Sequence, residues 1–226
     1  VHPTAPLAER VLLPGDPGRA LALAQAMLTE PRMFNHNRGL WGYTGTWSDG
    51  EPLTIQSTGM GGPSAAIVLT ELIALGAGRA IRIGTCGGLA PGLGLGELVI
   101  ADPAISADGT SRALGTGARV EPDGSLTERL GEVAPTARRG PVVSVDLFYD
   151  ERDIGDLPGA AGAIAVEMEA AALFALGANA GVPVACLLTV SDTFDPEAGR
   201  VRIDADTLQG AALRMGETAA RALAAG

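Results

Sequence analysis

The sequence predicts an α/β protein built on a mixed or mostly parallel central sheet. Three observations carry this. Short apolar strand-like runs alternate with helical stretches, glycine-rich turns stand at the strand ends, and no repeat, heptad pattern or linker divides the chain. A length of 226 residues suits one substantial core, so residues 1–226 are read as a single domain.

Residues 11–14 form a short buried strand closed by Gly15-Asp16-Pro17-Gly18, and a helix follows over 19–28. Residues 38–47 set Gly39, Gly42 and Gly45 between large apolar side chains, a hairpin-like pattern, and 51–58 read as a strand. Helical spacing over 64–75 stops at Gly76-Ala77-Gly78. Residues 79–84 form a central strand with Thr85-Cys86-Gly87-Gly88 at its carboxyl end, and 97–101 form another. The stretch 106–121 carries the weakest pattern. A helix over 126–133, a strand over 141–146 and an acidic loop over 150–161 come next. Then follow a strand at 163–166, a helix over 168–180, a strong strand over 183–190, a loop over 191–202 and a long amphipathic helix over 205–225. Ligands in such sheets collect at the carboxyl ends of strands. Gly15, Gly61, Thr85, Glu169 and Asp192 all stand there.

The net charge of −10 opposes binding to nucleic acid or to an anionic membrane, both of which need a basic surface. It leaves room for a local anion site, because all 16 basic residues are arginine, whose fork of donors matches phosphate or carboxylate. Cys86 and Cys186 lie in apolar strand-like stretches and read as reduced, buried thiols. No cluster has metal-ligand spacing and no dinucleotide fingerprint is present, so neither metal nor organic cofactor is expected. The first residues show no basic segment followed by an apolar run, and the chain reads as soluble, intracellular and cytoplasmic.

Six motifs then occur in order: Gly15-Asp16-Pro17-Gly18-Arg19-Ala20; Asn37-Arg38-Gly39 through Gly45; Gly59-Met60-Gly61; Arg82-Ile83-Gly84-Thr85-Cys86-Gly87; Val166-Glu167-Met168-Glu169-Ala170-Ala171; and Val190-Ser191-Asp192. From His2 to the final helix, the chain resembles the hexameric purine nucleoside phosphorylase and uridine phosphorylase family. The resemblance implies a three-layer α/β/α fold with a central mixed sheet, phosphorolysis of a nucleoside with inorganic phosphate as co-substrate, and a trimer of dimers with shared sites.

Phosphate needs converging N–H donors and positive charge. Gly15 supplies a close-approach turn, Arg19 sits one step into the next helix, and Arg82 interrupts an apolar strand, where an unpaired charge would be costly. The resemblance assigns phosphate to Gly15, Arg19, Arg82 and Thr85, and to Arg38 from a neighbouring subunit. Taken alone, Arg19 and Arg38 also fit ordinary solvated arginines. For the sugar the resemblance implies Met168 and Glu169, with Glu167 nearby and His2 approaching from a partner. Charge at a helix N-terminus would equally account for two acids here, and a loose tail for His2.

For the base, the resemblance points to Phe148 as a stacking ring, with core packing as its alternative, and to Ser191-Asp192. A protonated carboxyl near N7 of a departing purine neutralises the electrons left by bond cleavage, and it needs a raised pKa or a supporting partner. Asp192 and Arg82 are therefore the expected catalytic residues. The aspartate marks the purine-specific branch, since the uridine-specific branch lacks it. One departure stands out: residues 204–209, where the family places an assisting arginine, hold none, although Arg200 and Arg202 are close. Uridine phosphorolysis, a nucleosidase using water, and a nucleoside-binding protein without turnover are the alternatives; Asp192 opposes the first, the arginines the second, and Glu169 with Asp192 the third.

Overall fold

Buried apolar residues of the short strand Arg10–Pro14 (β1) sit at the centre of the molecule, flanked on both sides by parallel partners. The computed structural model describes residues 1–150, 152, 154–157, 159–195 and 199–224. Glu151, Asp153 and Pro158 of the expected acidic loop, Pro196, Glu197 and Ala198 of the expected loop at 191–202, and Ala225 of the last helix lie outside the described residues.

Helix α1 (Pro17–Met27) begins where Asp16 accepts the N–H groups of Gly18 and Arg19 and Pro17 presets the first turn. Strands β2 (Thr29–Asn35), β3 (Gly42–Thr46) and β4 (Pro52–Gln56) form an antiparallel run that joins β1 through β4. Helix α2 (Gly62–Ala74) leads to β5 (Arg79–Gly88), which lies parallel to β1. Strand β6 (Leu98–Ala107), the one-turn helix α3 (Gly109–Ala113) and the two-residue β7 (Arg119–Val120) follow. Next come α4 (Gly124–Val133), β8 (Arg138–Val145), β9 (Ala165–Glu167) and α5 (Ala170–Ala180), which stops at Gly181 in a left-handed conformation. Strand β10 (Val184–Asp195), strand β11 (Gly199–Arg202) and helix α6 (Ala205–Ala224) complete the order.

Helices cover both faces of the sheet, as a three-layer α/β fold requires. Val68, Leu69 and Leu72 of α2 pack with Leu173 and Phe174 of α5 in one buried cluster. Leu23 of α1, Leu126 and Leu130 of α4, and Met215 and Leu223 of α6 form another on the opposite face. The sheet is mixed, as expected, but it also closes. Strand β5 pairs with β10, β10 with β6, β6 with β8, β8 with β9, and β9 returns to β5. Element alternation alone does not encode this ring, whose rim gathers the ends of β5, β9 and β10 at one place. Among the described residues no helix is long and apolar enough to cross a membrane.

Three expectations change. The hairpin expected over 38–47 is displaced: Asn37–Gly39 is a 3₁₀ turn, and the hairpin joins β3 to β4. The weakly patterned stretch at 106–121 contains the end of β6, α3 and β7. The expected loop at 191–202 is instead a continuation of β10 that returns antiparallel as β11.

Candidate active site

A cavity of about 910 Å³ opens at the carboxyl ends of β1, β5 and β10. It is lined by Gly15, Arg19, Arg38, Arg82, Thr85, Phe148, Glu167, Met168, Glu169, Ser191 and Asp192. Of the residues assigned to substrate, all but His2 line it, and Gly61, also marked at a strand end, does not; His2 is exposed and its backbone N–H donates to Asn35 Oδ1 at 2.8 Å.

At one end of the cavity two arginines converge. Gly15 follows β1 directly, and a Cβ there would stand 3.1 Å from Arg82 Nη1. A Cβ on Gly84 would stand 2.9 Å from Arg82 Nη2. The two glycines thus make the slot in which the guanidinium lies. Arg82 is buried, and Leu13 O and Thr58 Oγ1 each stand 3.4 Å from Nη1. Its Nη2 donates to Glu169 Oε2. Burial acts to lower the Arg82 pKa, but the Glu169 and Glu167 carboxylates outweigh it and hold the group above its ordinary value. Arg19 has the opposite balance: burial and the neighbouring Arg82 charge lower it, and its guanidinium has no ion pair or hydrogen bond among the described residues. Arg82 thus has a carboxylate in contact, whereas Arg19 is offset only in part, by the Asp16 charge, and keeps its donors open to an anion. Thr85 lies three residues beyond Arg82 on β5. Arg38, expected from the resemblance to serve a neighbouring subunit, lines its own chain's cavity from an exposed position with φ 58°, a left-handed conformation rare outside glycine.

In the middle of the cavity, Glu169 stands at the N-terminus of α5 and accepts the Gly61 N–H on Oε1 at 2.6 Å. The sequence assigns Arg82 and Glu169 to different substrate groups; the structure joins them in one buried ion pair. Glu167 is occupied differently. Its oxygens accept the N–H groups of Glu169 and Ala170, each at 2.9 Å, and the hydroxyl of Ser144, which itself accepts the Ala171 N–H at 2.9 Å. The helix-terminus alternative therefore describes Glu167, whose carboxyl fixes the backbone that carries Met168 and Glu169. Burial and the nearby Glu169 charge push its pKa up to about 7.

At the far end, the β10–β5 register steps from Val190 opposite Cys86 to Asp192 opposite Gly87, so Ser191 is a bulge residue that re-aims Asp192. Arg202 lies directly across the β10–β11 ladder from Asp192, and Arg200 lies on the same face two residues earlier. Their Nε atoms donate to Asp192 Oδ1 at 3.0 and 2.8 Å, while Ser191 Oγ donates to Oδ2 at 2.7 Å. Burial acts to raise the Asp192 pKa, but the bonds from Arg200, Ser191 and Arg202 prevail and lower it. Of the two expected means, a raised pKa or a supporting partner, it is the second that stands beside Asp192. The supporting partner foreseen for Asp192 is present, and it comes from β11 rather than from the start of α6. Phe148 is half exposed on the cavity wall, so core packing does not describe it; the Arg200 guanidinium carbon stands 4.7 Å from its ring centroid.

Sequence reasoning missed Ser144, Thr58 and Gly84. Ser144 had a legible signal, a hydroxyl inside an apolar strand, the same signal that marked Arg82. Thr58 had none apart from its place beside Gly59, and Gly84 stood within the motif Arg82 to Gly87 without a signal of its own.

Two converging arginines, a buried acid pair at a helix start and an aspartate held by two arginines between β5 and β11 define a class. The chain belongs to the phosphorylase superfamily, whose family model matches residues 9–225. Among its curated relatives are DeoD-type purine nucleoside phosphorylases. Those of Clostridium novyi and Geobacillus kaustophilus are each 37% identical, over 83% and 84% of this chain and 83% of their own. That of Clostridium beijerinckii is 38% identical over 86% of both chains. The similarity thus falls on the purine-specific side of the family.

Proposed function

We propose that this protein cleaves purine ribonucleosides and 2′-deoxyribonucleosides with inorganic phosphate, releasing the free base and the pentose 1-phosphate. The observation that carries this reading is that one cavity brings together Arg19 and Arg82, the buried Glu169 carboxylate, and Asp192 with Phe148. Phosphate, pentose and purine each find among them a group of matching chemistry.

In this scheme phosphate sits between Arg19 and Arg82, with Gly15, Thr85 and Arg38 around it. Its two negative charges supply the contact partner that Arg19, offset only in part by Asp16, lacks among the described residues. Glu169, held by Arg82 and the Gly61 N–H, keeps lone pairs for the sugar hydroxyls. Met168 packs beneath the pentose and Phe148 stacks on the base. The C1′–N9 bond breaks ahead of attack, its electron pair passing into the purine ring. The oxocarbenium-like sugar is stabilised by the phosphate, whose oxygen then bonds C1′. Asp192, ionised in the free protein, takes up a proton as nucleoside binds and delivers it to N7, with Ser191 orienting the carboxyl. The proton that hydrogen phosphate loses on forming the ester balances the one the purine gains. Neither a metal nor an organic cofactor enters the scheme.

The chain works in this proposal as one phosphorylase domain in a homo-oligomer, a hexamer built from dimers in which His2 reaches a partner's sugar site. The exposed position of His2, outside its own cavity, supports that arrangement. A cytoplasmic setting fits the two buried free thiols, Cys86 and Cys186.

The test is incubation of the protein with inosine, guanosine, adenosine and uridine, with and without phosphate, and chromatography of the products. Phosphate-dependent release of purine base with ribose 1-phosphate is expected. Equal release without phosphate, or release of uracil alone, would overturn the proposal.

A further inference from the structure

Arg200 carries donors that no described residue uses. Its Nε is committed to Asp192 Oδ1, while its two terminal nitrogens make no hydrogen bond among the described residues. The side chain is 35% exposed, lines the cavity and lies against the Phe148 ring. Asp192 has little acceptor capacity left, since Oδ1 takes two arginine N–H groups and Oδ2 takes the Ser191 hydroxyl. Around Asp192, the described side chains therefore leave more donors than acceptors open.

Resting on the purine phosphorolysis reading above, we infer that Arg200 selects 6-oxopurines, setting a terminal N–H on O6 while Asp192 faces N7. The two purine classes differ along this edge. A 6-oxopurine presents two acceptors, N7 and O6; a 6-aminopurine presents N7 beside the donor group N6–H₂. An arginine opposite N6 meets donor with donor, and its desolvated N–H goes unpaired. The reaction widens the difference. Electrons left on a departing 6-oxopurine spread onto O6, where a guanidinium stabilises them as they arrive. Arg202 does not share this role: it is 67% exposed, does not line the cavity, and acts on Asp192 alone.

The experiment compares kcat/KM for inosine, guanosine and adenosine at saturating phosphate. In the unaltered protein both 6-oxo substrates are expected to exceed adenosine by roughly tenfold or more, the discrimination of one good edge contact. Arg200→Gln offers O6 a donor or N6 an acceptor, so the ratio should fall to within about threefold of unity. Arg202→Gln should lower all three rates together and leave the ratio standing. Equilibrium binding of hypoxanthine and adenine to the unaltered protein, with hypoxanthine expected the tighter, needs no folded variant. Adenosine used as well as inosine, or a ratio that survives Arg200→Gln, would overturn the role of Arg200 and leave purine phosphorolysis intact. No phosphate-dependent base release from any of the three would overturn both.

Discussion

Arg82 and Glu169 are each other's counter-ion on the floor of the cavity, with both side chains about 95% buried. The pair makes the anion end and the middle of the site one mechanical unit. Removing either partner leaves the other as a buried unpaired charge, a loss of about 3–5 kcal/mol in such settings. Arg82→Met and Glu169→Gln are each expected to destabilise the fold, and the double variant should lose clearly less than the sum. Urea denaturation of the four proteins measures this. Additive losses would show that the two side chains do not act as a pair.

Arg19 should behave in the opposite way. Its charge is opposed by burial and by Arg82 more than Asp16 supports it, so Arg19→Met relieves repulsion while removing the donor to phosphate proposed above. The melting temperature is expected to hold or rise, and KM for phosphate to increase roughly tenfold or more, the worth of a hydrogen bond to a charged group. A lowered melting temperature with an unchanged KM would make Arg19 a structural residue.

Gly84 tests the slot around Arg82. A methyl group there would stand 2.9 Å from Nη2 and 3.1 Å from the guanidinium carbon, so Gly84→Ala must push the side chain off its line. The clash is with a side-chain end rather than backbone, so folding should survive. Phosphate affinity should suffer more than stability, which isothermal titration with phosphate and a thermal melt can compare. An alanine variant with unaltered phosphate affinity would show that the position of Arg82 does not matter to the anion.

Much of this architecture was legible because glycine and proline mark the strand ends where the functional residues stand. Two of the strands missed, β2 and β11, are largely or wholly exposed, and β7 has only two residues. In β2 the first five residues are exposed, and all four of β11 are, so no period-two apolar signal exists to be read. The same holds within the site. Strand ends marked Gly15, Thr85, Glu169 and Asp192, and a charge inside an apolar strand marked Arg82, but the Arg82–Glu169 pair spans 87 positions and depends on the closing of the sheet. The partners of Asp192 left a fainter trace. Arg200-Val201-Arg202 alternates as a strand does, which puts both arginines on one face only once β11 is known to return along β10.

Asp192→Asn separates chemistry from anion binding. The amide keeps the shape but cannot deliver a proton to N7, so kcat should fall about 100-fold or more. KM for phosphate should stay near its original value, because the arginines at the other end are untouched. A selective rise in that KM, with kcat preserved, would place Asp192 outside the proton path.

Glu167 imposes a pH dependence on stability whose sign can be worked out. Its pKa rises from an ordinary 4.5 to about 7 in the folded protein, through burial first and the Glu169 charge second. Between those values the folded state holds a proton that the unfolded state has lost. Stability therefore declines as pH rises through this window, by at most about 1.4 kcal/mol per pH unit from this group, and the contribution levels off above pH 7. Other groups in contact do not mask it. Arg82 stays charged, and the thiols of Cys86 and Cys186, pushed up by burial, stay protonated throughout. Asp192, lowered by its arginines, contributes in the opposite sense and only at more acid pH. Glu167→Gln retains an acceptor for the N–H groups of Glu169 and Ala170 but has no proton to lose. Urea denaturation from pH 5 to 8 should show a decline in the unaltered protein that is absent or much reduced in the variant. Parallel curves for the two proteins would mean that Glu167 is ionised across the whole range and that its partners at the start of α5 fully offset its burial.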